Sequence, residues 1–237
     1  MKRTHIGNLT LKIILPLLAL VLAMASCHTD KNSMSEEEAV ELTQQSMSTK
    51  SGGMVDQMEL ATDFIEASLP FCGTMFDSVV VRTNTPGAAI TYHFTHNWTY
   101  GVLCSGGQPS EFDLSISGSS VYDAPRMSSN DNVSLTCVVT GLEQNSFNYI
   151  YNGSYTRNGT QQSHIHNQKK FASIISITGT TVTVSKSSKE ITSGTATVGI
   201  SAESNSGQTS TFNGNITFLG NSQAQLVVNG NTYTLEW

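Results

Sequence analysis

The amino-acid sequence predicts an all-β fold: an antiparallel meander forming a sandwich or half-barrel, preceded by a short helical N-terminal region. Three observations carry this. From Phe71 onward apolar and polar residues alternate with a period of two, as in Thr181-Val182-Thr183-Val184, and in Ala196, Val198 and Ile200 set among Thr195, Thr197 and Gly199. Connections between successive runs are short, which suits antiparallel neighbours, since parallel strands need long crossovers. Asn229-Gly230, between two alternating runs, is a type I′ hairpin signal. Each run has one apolar face and one face rich in Thr, Ser and Asn. Such a sheet covers its apolar side either by packing as a sandwich or by curling over a core or ligand. The sandwich is the arrangement favoured.

Before the strands come two segments of different character. Residues 1–26 have the layout of a secretory signal: Lys2, Arg3 and Lys12 supply positive charge, and Ile13 to Ala25 form an apolar run of 13 residues interrupted by Pro16. That run has the length of a signal core and falls short of the ~20 residues that span a bilayer. Met24-Ala25-Ser26-Cys27 resembles the lipobox of bacterial lipoproteins, with Met24 where Leu is usual. The resemblance implies cleavage before Cys27, a diacylglycerol on its sulfur and an acyl chain on the new amino group. The membrane, through that lipid, is then the one partner with named chemistry, and several acyl chains make the anchor stable.

Residues 27–66 read as an acidic spacer with one or two helices. Ser35-Glu36-Glu37-Glu38 has the form of a capping box, opening a helix that runs to about Met47 before Ser48 to Gly53 break it. Met54, Met58, Ala61 and Ile65 then recur at helical spacing. The β-domain follows over 67–237, with strands expected at 78–83, 88–96, 111–117, 133–140, 147–156, 164–177, 180–185, 189–203, 208–219, 223–229 and 231–237. A division into two sub-sheets, if present, falls near 141–147.

Charge separates the two parts. Residues 1–26 carry three of the 12 basic residues and none of the 18 acids, so the chain from Cys27 onward has 9 bases against 18 acids. Residues 28–66 hold nine acids and two bases, whereas 67–237 hold nine acids and seven bases. This balance argues against nucleic acid as a partner. A glycan or a protein is the ligand expected of the β-domain.

Catalytic and metal chemistry find little footing. After lipidation three thiols remain, and one bridge is expected in an exported chain. Cys72–Cys104 is the preferred pair, because Cys72 follows Pro70 at a segment start and Cys104 sits beside a Ser/Gly turn. Cys137, inside the apolar run Val133 to Val139, reads as a buried free thiol. His164 and His166 are two apart, so on a strand both would face one way, the weak beginnings of a metal site that lacks a third ligand. His93 and His96 would face opposite ways. Neither G-x-S-x-G nor H-E-x-x-H occurs, and Glu111 and Asp113 read as two solvated acids on one strand face. No cofactor is implied, and a non-enzymatic protein is expected. The tyrosines 92, 100, 149, 151 and 155 and Trp98 would suit sugar stacking only if exposed. A carrier of an apolar ligand in a half-barrel is the alternative expectation, and a metal-dependent or hydrolytic enzyme the third.

The lipobox, the acidic helical segment, Cys72-Gly73-Thr74, Cys104-Ser105-Gly106-Gly107, the stretch Asn152 to Gly159 and the ending Val227 to Trp237 together resemble uncharacterised cell-surface lipoproteins of the Bacteroidota. That resemblance implies a lipid-anchored address in the cell envelope of a Gram-negative bacterium, at the outer membrane or cell surface. It also implies that Asp77-Ser78-Val79 matches the O-glycosylation triplet of that phylum, making Ser78 a glycosylation candidate.

Overall fold

The computed structural model describes residues 33–84, 87–165 and 168–237. Cys27 and His166 therefore lie outside the described residues. Two helices, α1 (Glu36–Met47) and α2 (Met54–Ser68), are joined by a single 3-10 turn at Thr49–Ser51. Ten strands follow: β1 (Met75–Thr83), β2 (Thr91–Ser105), β3 (Gln108–Asp123), β4 (Met127–Thr140), β5 (Asn148–Ser163), β6 (Lys170–Ser185), β7 (Ile191–Ser204), β8 (Thr209–Gly220), β9 (Gln223–Val228) and β10 (Asn231–Glu236). They form one antiparallel sheet in sequence order. The last hairpin turns on Asn229 and Gly230, both at positive φ, as its sequence requires.

This is one curled sheet, with helices where a second sheet would lie. The same helix pair touches both ends of the meander. Arg82 of β1 reaches Asp56 of α2 at 3.0 Å, and the backbone N–H of Glu236 on β10 donates to Gln44 of α1 at 3.0 Å. In between, Gln57 meets His96 of β2 at 3.1 Å and Thr62 meets the Tyr151 hydroxyl of β5 at 3.2 Å. Ten strands laid flat would span about 43 Å at their usual spacing. A sheet of that width can touch one helix pair from first strand to last only by wrapping around it. Glycines on the inner face permit the tight approach of neighbouring strands. A Cβ on Gly153 would fall 2.3 Å from the Thr136 carbonyl oxygen, and one on Gly118 would fall 2.1 Å from that of Thr95.

Three expectations are thereby corrected. The helices are not a spacer beside the β-domain: Leu42, Met47, Val55, Ala61 and Ile65 are buried in one core with Trp98, Ile116, Tyr151, Ile177 and Leu226. There is no break near 141–147, because β4 and β5 pair without interruption from Met127↔Ser163 to Thr140↔Ile150, and 141–147 is the loop of their hairpin. Residues 164–177 and 180–185 are not two strands. β6 begins at Lys170 and continues to Ser185 across an irregularity between Thr180 and Thr183, where Thr181 takes a positive φ.

The acids of the helical segment are used in docking. Glu36, held below the usual carboxylate range by hydrogen bonds from Tyr233, Asn229 and Asn231, fastens α1 to the β9–β10 hairpin. Arg126 bridges Glu37 and Glu41, Lys169 lies 3.8 Å from Glu38, and Lys189 pairs with Asp63 and Glu66. Ser35 and Glu38 close the capping box at the start of α1. A disulfide joins Cys72, just past α2, to Cys104 at the end of β2, with Cα atoms 5.6 Å apart, and Cys137 is a buried free thiol.

Candidate functional site

Period-two alternation sends every second side chain of the sheet to solvent, and strand register then builds rows of them across the molecule. One such row is Thr99, Ser115, Thr136, Ser154, Thr178, Thr197 and Asn215, one residue from each of seven adjacent strands. The outer face is thus a lattice of hydroxyls and amides at strand spacing, about 4.8 Å. The aromatic side chains point the other way: Trp98, Tyr100, Tyr149, Tyr151 and Tyr155 are all buried, and half-buried Tyr92 stacks on Phe94. A stacking platform for sugars is not built from them.

Toward one end of β3 to β6 this outer face hollows into a groove of about 680 Å³. Two rows line it: Val121, Asn130, Thr160 and Ala172, then Asp123, Ser128, Gln162 and Lys170. Val121, 44% exposed, and Ala172 supply apolar floor. Asn205, from the β7–β8 turn, and His164 complete the wall. His164 is not on the strand expected for it; it sits in the β5–β6 connection, and its expected partner His166 lies outside the described residues. Its Nδ1 lies 2.9 Å from the Ala124 carbonyl oxygen, and its Nε2 is 3.8 Å from Asp123 Oδ1. Among the described residues no three His, Cys, Asp or Glu side chains converge as a metal site.

Other sequence-derived candidates are scattered. Ser78 is on β1, half-buried on the face toward the helices, and its hydroxyl lies 3.2 Å from that of Tyr100. The Cys72–Cys104 disulfide is at the β1–β2–β3 end. His93 faces outward and His96 inward, as three-residue spacing on a strand requires.

Beneath the groove lies a polar cluster that single-residue inspection missed. Arg157 of β5 and Asp131 of β4 are both fully buried, with Nε and Oδ2 3.8 Å apart. Arg157 Nη2 donates to Ser120 Oγ at 2.8 Å and to the Ser51 carbonyl at 3.3 Å, and its guanidinium sits 5.1 Å over the Tyr122 ring. Asp131 accepts from Gln161 Nε2 at 2.7 Å and from the Ser129 hydroxyl; Ser173 in turn donates to Gln161. Burial pushes the Asp131 carboxyl upward, against the pull of Arg157, Ser129 and Gln161. The cluster ties β3, β4, β5 and β6 to the turn between the helices. In the Asn152 to Gly159 stretch the alternation that puts Tyr155 inward also puts Arg157 inward, and that parity was the available signal.

His96 stands beside this cluster, fully buried and stacked on Phe94 with ring centroids 4.3 Å apart. Burial, and then the nearby Arg157 charge, lower its pKa to about 4. The folded state therefore binds fewer protons than the unfolded state between pH about 4 and about 6.5, and His96 stabilises the fold above that window and loses the contribution as pH falls through it. Ring-resonance NMR is expected to show no titration of His96 between pH 5.5 and 8. A midpoint inside that range would contradict the buried neutral imidazole.

What the groove can do chemically is hold a neutral polar molecule. Amides and hydroxyls both donate and accept, while Asp123 accepts and Lys170 donates, so a ligand rich in hydroxyls meets complementary groups on every side. Comparison of the chain with family models, curated proteins and solved structures gives no match.

Proposed function

We propose that this chain is a lipid-tethered envelope protein whose β-domain is a binding unit for a neutral, hydroxyl-rich ligand such as a glycan. The observation that carries this reading is the groove over β3 to β6, where Asn130, Thr160, Gln162 and Ser128 line a hollow of about 680 Å³ with apolar floor. Volumes of 300–1,000 Å³ are typical of small-ligand sites. The opposite face of the sheet packs against the chain's own helices, and a cavity of about 20 Å³ beside Met54, Met58 and Tyr151 among the described residues supports the outer groove over an enclosed apolar cargo site. Anchoring rests on Met24-Ala25-Ser26-Cys27 and on the charged and apolar segments before it. An address at the outer membrane or cell surface follows from the lipoprotein layout.

Two experiments test the two halves of the proposal. Metabolic labelling with an alkyne fatty acid is expected to mark the wild-type chain and to fail with Cys27→Ser; equal labelling of both removes the anchor. A neutral-oligosaccharide array probed with the full-length protein is expected to retain it, with retention lost in the Asn130→Ala, Gln162→Ala double variant. Retention unaltered by that variant, or none at all, sinks the groove as the binding site.

A further inference from the structure

Four side chains of the buried polar cluster stand in the order that a covalent step needs. Ser129 of β4 and Gln161 of β5 are direct cross-strand partners, and both side chains are buried. Asp131 follows two residues along β4 on the same face, and Ser173 of β6 lies diagonally across from Gln161; both are buried too. Asp131 finds its room because the residue paired with it is Gly159. A Cβ on that glycine would fall 2.5 Å from Asp131 Oδ1.

The hydrogen bonds give each atom a role. A carboxylate only accepts, so the 2.7 Å contact with Asp131 Oδ1 fixes which end of the Gln161 amide is nitrogen, and the Ser173 hydroxyl then donates to the carbonyl oxygen. The Ser129 hydroxyl donates to Asp131 Oδ2, and Ser129 Oγ lies 3.3 Å from Gln161 Nε2. The amide carbon is one bond of about 1.33 Å from that nitrogen, hence within about 4.6 Å of Ser129 Oγ. Turning the last torsion of the glutamine, which is soft, brings the carbon closer. A hydroxyl on a carboxylate, a primary amide beside it and a donor on the carbonyl oxygen are the parts of an acyl transfer. Burial raises the Asp131 carboxyl, which makes its carboxylate a stronger base than an exposed one. Burial also keeps out water, the competing nucleophile.

We propose that Ser129 and Gln161 join as an intramolecular ester that cross-links β4 to β5. Asp131 Oδ2 takes the hydroxyl proton as Ser129 Oγ bonds to the Gln161 amide carbon, and the Ser173 hydroxyl meets the charge that develops on Oε1. Asp131 then hands the proton to Nε2, the C–N bond breaks and ammonia leaves. One hydroxyl and one primary amide thus give one ester and one ammonia, with no oxidant, reductant or cofactor. Asp131 ends as a carboxylate beside Arg157, 3.8 Å away. Ser129 and Gln161 also border the outer groove, which offers the ammonia a way out. The cross-link does not depend on what that groove binds.

Peptide mapping of the folded, full-length protein by mass spectrometry tests the proposal. After denaturation and trypsin, segments 127–157 and 158–169 are expected as one joined species, lighter than their sum by one ammonia and separated by hydroxylamine. Joining is the deciding signal, because Asn158-Gly159 can lose ammonia by closing to a succinimide, which joins nothing. Ser129→Ala is expected to give the two peptides separately, and Ser129→Thr, which keeps a hydroxyl, to restore the joined species. Where Ser129→Ala fails to fold, fragmentation of the wild-type species is expected to place the bond between Ser129 and Gln161. Separate peptides from the wild-type protein overturn the proposal. So does a joined species that persists in Ser129→Ala or whose bond maps to other residues.

Discussion

Arg157→Leu is expected to destabilise the protein by about 3–5 kcal/mol, because it removes one partner of a buried ion pair and leaves the other charge uncompensated. Asp131 would keep the donors from Ser129 and Gln161 but lose the cation paired with it in the core. The Ser51 carbonyl, in the turn after α1, would lose the guanidinium donor too, while the Gln45 carbonyl would keep the Ser51 hydroxyl. In a domain of about 200 residues each kcal/mol moves the midpoint by roughly 2–4 °C, so a fall of about 6–20 °C in thermal melting is the signature. Arg157→Leu combined with Asp131→Leu should recover much of this, since a hydrophobic replacement of both partners is often neutral. A double variant no better than the single one would mean that the arginine acts through its carbonyl contacts rather than through the pair.

That cluster also explains which parts of the molecule the chain discloses. The strands are legible because their period is two and their outer positions are Thr, Ser and Asn. The last hairpin is legible because Asn229-Gly230 has few alternatives. The docking of α1 is hidden, because its inner face is polar: Glu38, Thr43, Gln45 and Ser46 are buried beside Ala39 and Leu42. A helix with so weak an apolar stripe reads as solvated. The signal that would have corrected this is charge. The helical segment is strongly acidic, and four of the seven bases after residue 66, Arg82, Arg126, Lys169 and Lys189, pair with its acids. An acidic segment beside a domain whose few cations can answer it is a docking pattern as much as a repulsive one.

The groove is hidden for a different reason. Asp123, Ser128, Gln162 and Lys170 are one row in space, but their adjacency depends on the register of three hairpins. Alternation reveals which face a residue takes, whereas register reveals its neighbours, and only the first is written locally. His164 shows the cost: assigned to a strand, it becomes half of a metal pair, whereas in the β5–β6 connection it becomes the wall of a groove.

Ile65→Asp separates a plug from a tether most sharply. Ile65 is fully buried in the common core, so a carboxylate there would have no donor within the packed interior of the sheet. Burying an unpaired charge is among the few single changes that cost more than about 4 kcal/mol, and loss of cooperative unfolding by urea is the expected result. Binding of a dye that reports exposed apolar surface should rise together with that loss, since undocking α2 uncovers Trp98, Tyr151 and the strand residues around them. Glu66→Gln, one residue further along and on the open side, removes only an exposed contact to Lys189 at 3.6 Å and should shift stability by no more than about 0.5 kcal/mol. If α2 merely spaced the β-domain from the membrane, both changes would be equally silent. The contrast between neighbouring positions therefore reports which side of the helix carries the fold, and a silent Ile65→Asp would return α2 to the role of a tether.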